Sequence, residues 1–271
     1  RAYSMSRLLR ILCREDTFGV PRMGEAEAVA RITPEGLYAH YQEILRRSPV
    51  EIFYVGSAEA GQVAELLMPL AAKLGARGTR LQPQTPFHPC EKSDVVETMD
   101  VTQGKLCMGF VTPIINRQKE FAAMQLLNVI YGSGMTSKLF THVREKMSLC
   151  YSIGSGYYGT KGILVVSAGI DFDKETVTRE EVLRQLAACK AGDISEEELT
   201  AAREAILSSL RGIHDSPSGI EGYYATAALS GMGLTPAEYM AAVEAVTKEA
   251  VIAAANTLQL HTTYFLKGGS Q

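Results

Sequence analysis

Apolar positions recur along this chain at two spacings, and the alternation between them marks out helices and strands. Met5, Leu8, Leu9 and Leu12 lie three and four apart, so the chain reads as helical from its first residues. Asp16 to Pro21 is a loop by its Gly/Pro punctuation, and a short helical segment follows around Glu25 to Ala30. Thr33-Pro34-Glu35 is a strong helix start, with Thr33 as N-cap and Pro34 where a missing N–H costs nothing. The pattern assigns Leu37, Tyr41, Ile44 and Leu45 to the buried stripe of that helix. Val50 to Val55 then reads as a β-branched and aromatic strand closed by Gly56, and a further helix runs from about Ala58 to Leu74.

From Gly75 to about Ser93 glycines and prolines interrupt polar residues without periodicity, the texture of an interdomain linker. Beyond it, Val95–Val101 and Lys105–Thr112 flank Thr102-Gln103-Gly104 and predict a hairpin. Asn116 is placed to cap a helix carrying Phe121, Met124, Leu127 and Tyr131, which Gly132 and Gly134 end. A short helix from Ser137 to about Met147, expected to bury Leu139, Phe140, Val143 and Met147, precedes strands Cys150–Tyr158 and Gly162–Asp171, joined by a turn at Gly159-Thr160-Lys161-Gly162. The remainder is nearly all helix, including one capped by Ser195 with Glu198 three residues on, until a final strand Thr262–Leu266. Ile32-Thr33-Pro34-Glu35, helix, strand and Gly56 are echoed by Val246-Thr247-Lys248-Glu249, helix, strand and Gly268, which suggests two copies of one α/β unit.

The 271 residues are 46% hydrophobic and 21% charged, a soluble globular composition. A net charge of −3 gives no basic field to recommend nucleic acid or an anionic membrane as partner. No apolar run reaches the length of a membrane span and the N-terminus lacks a signal layout, so a cytoplasmic location is expected. Five scattered cysteines form no C-x-x-C, which argues against a disulfide framework or a thiolate zinc site. Because the chain opens on Arg1 in mid-helix, an N-terminal part is expected to be missing.

Chemistry concentrates between residues 132 and 152. Gly134-Met135-Thr136-Ser137-Lys138-Leu139-Phe140, then Val143-Arg144-Glu145-Lys146, then Leu149-Cys150-Tyr151-Ser152 resembles the second homologous domain of the M16 (pitrilysin, insulinase-like) zinc metallopeptidases. Those enzymes carry a glycine-rich break, a serine-led helix, an arginine-glutamate pair and a tyrosine seven residues after the arginine. The strand endings at Tyr54-Val55-Gly56 and Tyr264 to Gly268 are similar to that family's domain endings. In texture the chain resembles bacterial non-catalytic members such as those associated with modification of elongation factor P.

The resemblance implies an α+β fold, a mostly antiparallel sheet with helices packed on one face, preceded by the closing elements of a first such domain. Residues 1–74 would be that remnant, 75–94 the linker and 95–271 the second domain. It implies peptide-bond hydrolysis by zinc held on an H-x-x-E-H helix, whose glutamate is the general base. The second domain's arginine and tyrosine would hold the substrate and stabilise the oxyanion, and by position these fall on Arg144 and Tyr151. From the residues alone both also have plain packing explanations, Arg144 as a surface ion-pair partner and Tyr151 as an edge aromatic.

The zinc motif itself is missing. His40-Tyr41-Gln42-Glu43-Ile44 and His142-Val143-Arg144-Glu145-Lys146 each lack the second histidine. No cofactor is therefore expected in this chain, and zinc is expected in a partner or in a missing domain. Gly154-Ser155-Gly156 lacks the lysine and helix start of a phosphate loop. It suits either a bend or an exposed strand edge to which a peptide could add. The expected partners are a peptide or unfolded protein substrate, a zinc-motif-bearing homologue or the missing N-terminal domain, and a second copy in a homodimer. Three readings follow: a non-catalytic substrate-positioning subunit, a structural assembly subunit, or a fragment of a complete zinc peptidase whose motif lies upstream.

Overall fold

A computed structural model describes residues 2–73 and 90–269. In chain order, helices α1 (Ala2–Leu12), α2 (Ala26–Val29), α3 (Pro34–Arg47) and α4 (Ala60–Lys73) precede strands β1 (Ser93–Met99) and β2 (Gly104–Val111). Helix α5 (Phe121–Tyr131), a π-helix (Leu139–Lys146) and strands β3 (Cys150–Tyr158) and β4 (Ile163–Ile170) come next. Helices α6 (Glu175–Lys190), α7 (Glu196–Arg211), α8 (Pro217–Ser230), α9 (Pro236–Glu244) and α10 (Lys248–Thr257) lead to strand β5 (Gln259–Gly268). The described residues form two compact units: 2–21, 90–210 and 233–269 in one, 22–73 and 211–232 in the other. The expected linker at 75–94 lies outside the described residues as far as 89, and Ser93 and Asp94 already belong to β1.

The larger unit is built on a five-stranded sheet in the order β1-β5-β2-β4-β3. Only the β1–β5 pairing is parallel, so the sheet is mostly antiparallel as expected. The hairpin predicted between β1 and β2 does not form, because β5 inserts between them and pairs with both. Tyr264, Phe265 and Leu266 explain the insertion: all three are buried, so this strand needs neighbours on both edges and cover on both faces. The β3–β4 hairpin does form. Its turn needs Gly162 at φ 64°, where an added Cβ would meet the Thr112 carbonyl oxygen.

Side chains alternate across each strand, so β2 and β4 send two sets into two layers. Leu106, Met108, Phe110, Leu164 and Val166 point to one face, on the side where α6 meets β2 and packs with α5 and α10. Cys107, Ile163, Val165, Tyr264 and Leu266 point to the other, where Leu8 and Leu12 of α1 bury completely against them. The opposite face is therefore not bare, and α1, assigned from sequence to the 1–74 segment, packs on the sheet of 95–271. Glu97 on β1 anchors this layer, accepting from the Tyr3 hydroxyl (2.6 Å), Arg7 Nε (3.1 Å) and the Tyr264 hydroxyl (2.9 Å). Those donors hold the Glu97 carboxyl below its usual range, the Tyr3 hydrogen bond most of all.

In the smaller unit, Thr33 caps α3 as predicted, its Oγ1 accepting from the Gly36 N–H at 3.1 Å. The stripe on α3 is not buried, however: Leu37, Tyr41 and Ile44 are 57%, 53% and 44% exposed. Residues 50–55 belong to no sheet, because no described strand lies alongside to accept and donate their backbone hydrogen bonds.

Candidate functional site

The glycine break after α5 serves a close approach within the chain. A Cβ on Gly132 would sit 2.6 Å from Ser155 Oγ of β3. The Ser155 N–H donates to the Gly132 carbonyl (2.9 Å) and its hydroxyl to Asn128 Oδ1 (2.8 Å). Although β3 is an edge strand, its Ser155 N–H is already used in this way, and Gly154-Ser155-Gly156 lets the strand lie against the end of α5. Ser137 then starts the next segment, donating to the Gly134 carbonyl (2.6 Å) and accepting from the Phe140 N–H. Lys138, 5% exposed, pairs with Glu198 Oε1 at 3.0 Å. The other oxygen of Glu198 closes the predicted capping box with the Ser195 N–H at 2.9 Å, so one carboxylate fixes both the loop and the start of α7.

Three irregular backbone features follow within fifteen residues. Leu139–Lys146 is π-helical, a form rare in proteins and frequent at functional sites. Ser148 has φ 49°, a left-handed conformation usually left to glycine, and Leu149 N–H reaches back to the Val143 carbonyl (3.0 Å) across it. In β3 the register passes from Cys150↔Ile170 to Ser152↔Gly169, so Tyr151 is an extra, bulged residue without a partner in β4. Sequence reading found this stretch and its helix but not the π form, because Leu139 and Val143 bury at a spacing that an ordinary helix also satisfies.

Arg144 and Tyr151 both reach solvent from this frame. Arg144 stacks its guanidinium 4.7 Å from the Phe140 ring centroid and lies 3.6 Å from Glu145 Oε1. Phe140, expected to be buried, is a half-buried platform beneath it. Tyr151 is 60% exposed and donates its hydroxyl to Asp171 Oδ1 at 2.7 Å, which raises the phenol pKa. The two side chains share no hydrogen bond; each is held separately. Asp171 was not a candidate from sequence, since nothing in the pattern reveals a bulge that turns Tyr151 toward the end of β4.

Among the described residues, the histidines do not converge on a common metal centre. His40 is exposed on α3, while the pKa of His142 is lowered by burial and by Lys146 and Lys138 nearby. Among the described residues no three His, Cys, Asp or Glu side chains converge as a metal would need, so the donor set of a zinc site does not fit here. Arg144, Tyr151 and Asp171 place a cationic fork, a phenol and a carboxylate on one irregular segment and its neighbour.

Comparison with known proteins bears on what kind of protein carries this segment. The family described as the Peptidase M16 inactive domain matches residues 31–206. The probable inactive metalloprotease YmfF of Bacillus subtilis is 30% identical over 266 residues, covering 98% of this chain and 62% of that protein. An uncharacterized zinc protease of Rickettsia felis is 34% identical over 114 residues, 41% of this chain and 27% of that protein. The crystal structure of a conserved protein from Enterococcus faecalis superposes with a TM-score of 0.88 at 25% identity, covering 99% of this chain and 64% of that one. A peptidase M16 inactive domain from Pseudomonas fluorescens shares the fold, with a TM-score of 0.83 at 19% identity over 99% of this chain and 66% of that one. The chain thus spans about two-thirds or less of these relatives' lengths. With a family match over most of its residues and the expected glycine break, arginine and tyrosine inside it, the chain belongs to the M16 peptidase inactive-domain family.

Proposed function

We propose that this chain is the substrate-positioning part of an M16-type zinc peptidase, acting in the cytoplasm on unfolded peptide, with the zinc-bearing part in a homologous partner or in residues outside this chain. Arg144 and Tyr151 hold the peptide. The observation that carries the reading is the run of π-helix, left-handed Ser148 and β-bulge that presents these two side chains to solvent. Irregular backbone of this kind costs of order 1–3 kcal/mol per feature and tends to persist where function needs it. Arg144 suits a peptide carbonyl or terminal carboxylate because its charge is permanent and its donors form a rigid fork. An oxyanion role for Tyr151 calls for its proton to leave Asp171.

Mixing the chain with a zinc-motif-bearing M16 homologue and an unfolded peptide tests this. Activity is expected only in the mixture, and Arg144→Ala is expected to lower kcat/KM by about 10- to 100-fold, the loss of a charge-assisted hydrogen bond. An unchanged kcat/KM in a variant whose thermal unfolding matches the parent rejects the reading.

A second reading, that the chain serves assembly, draws on the exposed stripe of α3. We infer that α3, residues 50–55 and α4 are the closing elements of a first M16-like domain whose remaining strands would cover Leu37, Tyr41 and Ile44. Assembly and substrate positioning then use different surfaces and are compatible.

A further inference from the structure

Asp171 occupies a position whose usual use it declines. It follows β4 directly and stands at the N-cap of the helical turn Phe172–Lys174 that runs into α6, with the extended φ of −71° and ψ of 155° that an N-cap adopts. Aspartate there ordinarily accepts from the backbone N–H groups of the first turn, yet this side chain makes no such bond. Its carboxylate turns instead to β3 and accepts a hydrogen bond from the hydroxyl of the bulged Tyr151 at 2.7 Å. A local preference given up beside an irregular strand is what a functional constraint leaves behind.

Hydrogen-bond accounting fixes what Tyr151 then offers. A phenol has one O–H to donate and two lone pairs to accept with. With the O–H committed to Asp171, only the lone pairs remain, and the ring that carries them is 60% exposed. The carboxylate beside it also favours the protonated phenol.

We propose that Asp171 is a positioning residue that sets Tyr151 as a hydrogen-bond acceptor, so that this point of the surface reads a backbone N–H of the bound peptide rather than a carbonyl. The inference rests on the peptide-binding reading above and assigns Tyr151 a ground-state role complementary to that of Arg144. Arg144 takes the peptide's acceptors and Tyr151 takes one of its donors.

The test has two arms on the full 271-residue chain. First, NMR titration with ring-labelled tyrosine, assigned through Tyr151→Phe, should show Tyr151 titrating above the ordinary phenol range and Asp171→Asn bringing it back down. No change in Asp171→Asn overturns the Asp171 contact, whatever the peptide does. Second, an unstructured peptide of mixed sequence is titrated against the chain, together with a series in which each backbone N–H in turn is replaced by an ester oxygen. One ester position should bind about tenfold more weakly to the wild type and no more weakly to Tyr151→Phe, which itself loses about tenfold. Asp171→Asn should lose a similar factor, and the double variant no more than either single one, because the two act as a unit. If Asp171→Asn keeps wild-type affinity while Tyr151→Phe and Arg144→Ala lose it, the positioning role fails and the peptide-binding reading stands. If the wild type binds no peptide, or neither Arg144→Ala nor Tyr151→Phe changes its affinity, the peptide-binding reading itself fails.

Discussion

Residues 33–56 and 247–268 carry nearly the same local instructions and meet opposite fates. In both, a threonine caps a helix, accepting from the Gly36 N–H at 3.1 Å and from the Ala250 N–H at 3.3 Å. In both, the helix leads into a β-branched and aromatic run that ends at glycine. In the second stretch, Val251 and Ala255 of α10 are fully buried and β5 sits between β1 and β2. In the first, Leu37, Tyr41 and Ile44 face solvent and residues 50–55 pair with no described strand. Amphipathic pattern and capping therefore specify which face wants cover. They do not specify whether this chain supplies it, and most of the stability of such elements comes from that cover.

The contrast can be broken or sharpened by paired substitutions. The largest effect is expected from Phe265→Ala in β5, about 3–5 kcal/mol of stability by chemical denaturation, because the ring is 5% exposed and leaves a cavity. Tyr264→Phe should cost about 1.5–3 kcal/mol by removing a partly buried hydrogen bond to a carboxylate. Tyr54→Phe, which loses only an exposed bond accepted from the Ala58 N–H, should cost no more than about 0.5 kcal/mol.

Acid tests the same anchor without mutation. The folded-state pKa of Glu97 lies below its unfolded value, so its contribution to stability is present above the unfolded pKa and is lost as pH falls through the folded one. Protection of α1 amides from hydrogen exchange, measured relative to the intrinsic rate at each pH, should therefore fall on acidification before that of α10, and an equal fall in both would count against Glu97 as the anchor. The smallest effect is expected at Ile52→Ala, within about 0.5 kcal/mol, since Ile52 is already 47% exposed. A loss there comparable to that at Phe265 would mean that residues 50–55 have cover after all, from a second copy for example. Repeating the measurement over a range of protein concentrations would show it.

Local chemistry was legible from sequence and non-local pairing was not. Ser195 with Glu198 and Thr33 with Pro34 announced their helix starts because caps involve neighbours in the chain. The β3–β4 hairpin was readable for the same reason, its turn being four residues that include Gly162. The β1–β2 hairpin failed because β5, far along the chain, competes for both strands, and no window around Thr102-Gln103-Gly104 contains that information. Asn116 was expected to cap α5, but its N–H donates to the Gly159 carbonyl (2.8 Å) and the helix starts five residues later. At the site, Arg144 and Tyr151 were named through the resemblance of residues 134–152 to a known family, whereas Asp171 and the bulge that brings it to Tyr151 depend on how two strands register.

The place of β5 in the sheet has a consequence for how the protein is made. During synthesis β1 and β2 leave the ribosome long before the strand that belongs between them, and each waits with an open backbone edge. The β3–β4 hairpin can form at once, but the sheet gains its middle only when the final described strand arrives. Emergence of β5, rather than early collapse, is then the event that commits this unit to its fold.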